Sequence, residues 1–134
     1  METDLIISAL NELHQKSNAA LENKDAAAYL SVFDDSLTYT LADQTKLNKQ
    51  EYSNETAKYF KRAKRIETSH YRIKSSFENE VFTEKITRKS IIIKPKLLVL
   101  SKKQTIQTEE IFHWKNINNE WKVIAVEVVL EEKY

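Results

Sequence analysis

The chain has 134 residues, 41% hydrophobic and 31% charged, with a formal net charge of +1. That is enough for one domain with a hydrophobic core and too little for two ordinary ones, and the near-neutral balance supplies no field for nucleic acid or an anionic membrane. With no cysteine and no glycine, disulfides, thiolate catalysis, Cys-ligated zinc and glycine-rich phosphate loops are excluded. Residues 1–134 are therefore read as a single domain. The start, Met1-Glu2-Thr3-Asp4, is acidic, which predicts no signal peptide. The longest apolar run, Leu97 to Leu100, is far short of a membrane span. A cytoplasmic protein without a membrane or nucleic-acid partner is expected.

In chain order, Asp4 to Glu22 places Leu5, Ile6, Ala9, Leu10, Leu13, Ala20 and Leu21 at helical spacing, with Asp4 or Thr3 as a cap. Asn23-Lys24 breaks this helix. Asp25 caps a short alanine-rich helix expected to reach Phe33. Ser36 to Leu41 alternates and reads as a strand, with a turn at Ala42-Asp43-Gln44. Asn48 with Glu51 three residues on is a capping box. It opens a third helix to about Ala63, with Tyr52, Thr56, Tyr59, Phe60 and Ala63 on one face.

After Arg65 the period changes from helical to two. Strands are predicted over Ile66 to Phe77, Val81 to Ile93, Leu97 to Lys115 and Trp121 to Leu130. Glu78-Asn79-Glu80 and Ile117-Asn118-Asn119 are the tight turns, because Asn tolerates the left-handed backbone they need. Lys94-Pro95-Lys96 is read as a reversal, since proline avoids central strands. Helices first and long hairpins after predict α+β, a strongly bent antiparallel sheet packed on three N-terminal helices.

Two stretches carry a family resemblance. AALENKDAAAYLSVFDDSLTY (Ala19 to Tyr39) resembles the opening of the nuclear transport factor 2-like superfamily, in which an Asp caps the second helix and a Phe-Asp pair precedes the first strand. QTEEIFHWKNINNEWKVI (Gln107 to Ile124) is similar to the ending of the calcium/calmodulin-dependent protein kinase II association domain and its free-standing bacterial relatives, SnoaL-like proteins among the wider group. The resemblance implies a cone with an internal pocket. It implies no single function, because this fold hosts isomerases, dehydratases, cyclases, adaptors and association modules. The isomerase-like pattern of a Tyr, a basic Asp and a protonated acid falls here near Ser17, Thr40 and Glu110, and only the last position holds an acid. One acid without a base is not a mechanism.

The implied pocket would be lined by Tyr29, Tyr39, Tyr59 and Phe60, with Glu110, Phe112 and Trp114 on one strand face and Glu127 on the next. Glu110 is expected either to anchor a ligand or to pair with a basic side chain such as Arg72 or Arg88, because a buried carboxylate without a partner is costly. Glu110 and His70 are the catalytic candidates. His14 reads as a surface residue at the polar edge of the first helix, and His113 faces away from the pocket. No histidine and acid set has metal-ligand spacing, so neither metal nor cofactor is expected. Lys58, Lys61, Arg62, Lys64 and Arg65 form a basic cluster that complements a helix C-terminus. Strict alternation along the last strand puts Ile124, Val126, Val128 and Leu130 on one face. With Ile111 and His113 they would make an apolar surface that pairs with a second copy. The expectation is a self-associating cone that takes a small apolar or amphipathic ligand. The alternatives are a SnoaL-like isomerase, cyclase or dehydratase, and a regulatory adaptor that binds another protein.

Overall fold

The computed structural model describes residues 2–96 and 100–134. Three helices precede most of the sheet: α1 (Glu2–Glu22), α2 (Ala26–Leu30) and α3 (Lys49–Arg62). The strands are β1 (Phe33–Thr40), β2 (Lys46–Asn48), β3 (Arg65–Glu78), β4 (Val81–Lys96), β5 (Leu100–Ile117) and β6 (Glu120–Lys133). They form one sheet in the order β2-β1-β6-β5-β4-β3. The β3–β4, β4–β5 and β5–β6 pairs are antiparallel hairpins, whereas β1 runs parallel to β6. The sheet is therefore mixed rather than wholly antiparallel, because the first strand returns to the edge of the last. It remains open, with helices packed on one face, as an α+β cone requires.

Local chemistry accounts for most boundaries. Asp25 caps α2 by accepting from the Ala28 amide, and α2 stops at Leu30, three residues before the expected end, because Phe33 enters β1 and is buried there. Asn48 and Glu51 form the reciprocal capping box of α3. Without glycine, the left-handed positions fall on Lys24, Gln44, Asn79, Glu80, Asn118 and Asn119. The paired positive φ values at Asn79-Glu80 and at Asn118-Asn119 suit two-residue hairpin turns that match strand twist. Pro95 does not reverse the chain. It lies within β4 opposite Ser101. β3 begins at Arg65 opposite Ile93, so at Pro95 one side of β4 is unpaired and a missing N–H there costs no ladder bond. The expected strand start at Leu97 lies outside the described residues.

The main core joins Ile6 and Leu10 of α1 to Phe33, Leu37, Phe82, Ile86, Phe112, Trp114, Val123, Val126 and Val128 of the sheet. A second cluster gathers Leu21, Phe60, Ala63, Ile66 and Ile92. Leu5, expected on the apolar face of α1, is exposed. Trp114 is fully buried, whereas Trp121 is half-buried and packs edge-on against Phe77.

β6 departs most from simple alternation. Along β5 its partners step from Leu130 to Val128 at Glu109/Glu110 and from Ala125 to Val123 at His113/Trp114. Val129 and Ile124 are thus extra residues, each a bulge that swaps the faces of the residues after it. Val123, Val126 and Val128 all point inward and Ala125 and Glu127 outward. Val126 and Val128, expected on an outer apolar surface, are 0% and 7% exposed core residues. The ridge expected from Ile124, Val126, Val128 and Leu130 does not exist. The outer face beside Ile111 and His113 carries the Lys85–Glu109 ion pair and the polar His113–Glu127 contact instead. Among the described residues no helix is long and apolar enough to cross a membrane.

Candidate functional site

A cavity of about 180 Å³ opens between the helices and the inner sheet face. Tyr29 reaches it from α2, Tyr39 from β1, and Tyr52 and Tyr59 from α3. The last two lie two helical turns apart, so they share a face. Arg88 of β4 and Thr108 and Glu110 of β5 form the polar wall, and Leu21 and Ile106 close the apolar side. The tyrosines hold one another. The Tyr29 and Tyr52 hydroxyls are 2.6 Å apart, and the Tyr39 and Tyr52 rings stack with centroids 3.9 Å apart. Burial drives the phenol pKa values of Tyr29, Tyr39 and Tyr52 well above their ordinary value, and that of Tyr59 to about 12. All four are neutral at physiological pH and able to donate hydrogen bonds.

The Arg88 guanidinium is nearly buried, with Nε 3.3 Å from Glu110 Oε2. Its Nη1 donates to Asn18 Oδ1 at 2.9 Å and Thr68 Oγ1 at 3.1 Å. Burial is the largest single influence on Arg88 and opposes its charge, but Glu110 together with Tyr29, Tyr39 and Tyr52 outweighs it and the guanidinium pKa rises. Thr108 Oγ1 donates to the same Glu110 oxygen at 2.5 Å. Glu110 therefore has the basic partner that its burial requires, and of the two arginines named from the sequence it is Arg88.

Deeper under α1 lies a second polar assembly, centred on Glu84, which is not among the sequence-based candidates. Glu84 is 0% exposed. Its Oε2 is 2.6 Å from His14 Nε2 and accepts from Trp114 Nε1 at 2.7 Å, and its Oε1 accepts from Arg72 Nε at 2.7 Å. Burial pushes its pKa up, but the His14 hydrogen bond and charge and then Arg72 prevail, leaving the carboxyl below its ordinary value. His14 is consequently a buried residue, not a surface one. The signal for Glu84 is present in the alternation Phe82, Glu84, Ile86, Arg88, which places it on the inner face of β4. His70 packs against His14 at a tilt, with ring centroids 4.5 Å apart, and its Nδ1 accepts from Asn18 Nδ2 at 3.0 Å. Burial first, then the charges of His14 and Arg88, lower its pKa from 6.5 to about 4, so its imidazole is neutral at pH 7.

The structure thus brings Tyr29, Tyr39, Tyr59 and Glu110 together with Tyr52 and Arg88. It sets the other candidates apart. Phe60 belongs to the second core cluster. Phe112 and Trp114 pack around His14 rather than lining the cavity. Glu127 lies on the opposite sheet face, 50% exposed and 3.5 Å from His113 Nε2, because the Ile124 bulge turned it outward. Among the described residues no group of three or more His, Asp or Glu could hold a metal ion.

No family profile and no curated protein sequence matches the chain. Solved structures do. A candidate scytalone dehydratase from Novosphingobium aromaticivorans superposes with a TM-score of 0.84 at 11% identity, covering 99% of this chain and 91% of the other. A nuclear transport factor 2-like superfamily protein from Salmonella enterica gives 0.78 at 9% identity, over 94% and 91%. A candidate calcium/calmodulin-dependent protein kinase II association domain from Xanthomonas campestris gives 0.70 at 11% identity, over 89% and 83%. At these identities the likeness is one of architecture, and the chain has the nuclear transport factor 2-like, cystatin-like α+β cone fold.

Proposed function

We propose that this protein binds a small amphipathic molecule with a single planar ring inside the cone. The observation that carries this reading is the convergence of four neutral tyrosines, from one strand and two helices, on the Arg88–Glu110 pair. An apolar cavity of roughly 150 Å³ admits a benzene ring, so about 180 Å³ suits one ring with a polar substituent. The tyrosine faces supply apolar area, and the hydroxyls and Arg88 supply donors that fix orientation.

Catalysis is the second reading, prompted by the dehydratase name of the Novosphingobium neighbour. It needs a free base at the cavity wall. Arg88 donates to Asn18 Oδ1, which fixes the Asn18 amide so that its nitrogen faces His70. The Nδ1 lone pair of His70 is thereby occupied, and Glu110 is held by Arg88 and Thr108. The arrangement favours binding over proton transfer. NMR of protein with ring-labelled tyrosine tests this with a panel of monocyclic aromatic ketones, phenols and amides. Saturable shifts of the cavity tyrosines, abolished by filling the wall with Ile106→Trp, are expected. Shifts that survive in Ile106→Trp, or none in the wild type, overturn the reading.

A further inference from the structure

A second cavity of about 160 Å³ abuts the first and shares two wall residues with it, Tyr59 and Ile106. Its chemistry differs. Arg62, Lys94 and Lys133 line it, and Glu131 is the one carboxylate there among the described residues. Glu131 lies 3.7 Å from Lys133, which leaves the excess positive charge beside Arg62 and Lys94.

This concentration is local, in a chain whose net charge is only +1. The helix dipole explains Arg62, in the last turn of α3. It does not explain Lys94 or Lys133, which are on strands. Moreover, Lys94 is the register partner of Lys102 on β5. Like charges directly opposite one another destabilise a sheet, and this pair lies next to the cavity. An anion placed there would relieve the repulsion. In the inner cavity, by contrast, Glu110 already neutralises Arg88, so an anionic group gains little there.

We infer that the ring-binding cavity is one half of a two-part site whose ligand carries a flexible anionic tail, with the tail passing between Tyr59 and Ile106 to the cluster of Arg62, Lys94 and Lys133. The ligand class is an aryl-alkyl acid. This rests on the ring-binding reading above, and the test separates the two. Titration calorimetry would compare 4-phenylbutyrate with its uncharged amide on the full chain and on an Arg62→Gln/Lys94→Gln double variant. The wild type is expected to prefer the acid by about tenfold, the scale of two exposed ion pairs. The variant is expected to lose that preference, keep its affinity for the amide and keep its thermal midpoint. Equal affinity for acid and amide in the wild type overturns the tail site and leaves ring binding intact. Binding of neither overturns both. A preference that persists in the variant places the anion elsewhere and overturns the assignment to this cluster.

Discussion

Burying a carboxylate is tolerable only when its acceptor capacity is filled, and Glu84 meets that condition through His14, Trp114 and Arg72. From there the contacts run through His70 and Asn18 to Arg88 and the cavity wall. His70 gives this chain of contacts a measurable pH signature. Its folded-state pKa, about 4, lies below the ordinary 6.5, so the unfolded chain takes up the proton first as pH falls. The stability involved is fully present above pH 6.5 and is lost as pH drops toward 4. Chemical denaturation of wild type and His70→Asn from pH 7.5 to 4.5 is expected to show the wild type losing stability faster on acidification. Parallel pH curves for the two proteins would refute the half-buried, neutral state of His70. Glu84 adds a loss at lower pH that both proteins share, because a lowered carboxyl pKa stabilises above its unfolded value and fails below it.

At the scale of elements, the legible features are those that depend on neighbours in sequence. The α3 capping box, the Asp25 cap, the Asn118-Asn119 turn and the change from helical to strand period after Arg65 are all local patterns, and each appears in the structure. Asn48→Ala is expected to cost about 1 kcal/mol, read as a shift in the denaturant midpoint, and Asn48→Asp much less. A midpoint unchanged in Asn48→Ala would mean that α3 is held by packing alone. The illegible features depend on partners far away or on one inserted residue. The short edge strand β2 is defined by pairing with β1 rather than by its own pattern. His14 is buried because Glu84, seventy residues on, lies beneath it. The β6 bulges at Ile124 and Val129 leave no compositional trace, since both residues suit a regular strand equally well. Tyr29, Tyr39 and Tyr59 are expected at a cavity only through the family resemblance, which implies a cone, and Arg88 is visible in the sequence only as a possible partner of Glu110.

For the molecule as a whole, the β6 bulges decide what is inside. Strict alternation predicts a sheet-to-sheet homodimer because it places Val126 and Val128 on the surface. The bulges place both in the core, beside Tyr39, Phe112 and Val123. The two arrangements assign opposite outcomes to one substitution. On an outer face, Val126→Lys would yield a folded protein with altered association. In the core it puts an ammonium among apolar side chains with no carboxylate in register, since Val126 is opposite Phe112 on one side and Tyr39 on the other. An unpaired buried charge costs several kcal/mol, against a total stability of about 5–15 kcal/mol for an ordinary domain. Val126→Lys is therefore expected to abolish or severely weaken cooperative folding, seen as a lost near-ultraviolet dichroism signal or a collapsed thermal midpoint. Ile111→Gln is the control, because Ile111 is on the outer face between Lys85 and Glu127, where an uncharged polar side chain meets neither an apolar core nor a like charge. It is expected to fold with a midpoint close to that of the wild type. A Val126→Lys protein that melts like the wild type would restore strict alternation along β6 and remove the bulges from the structure.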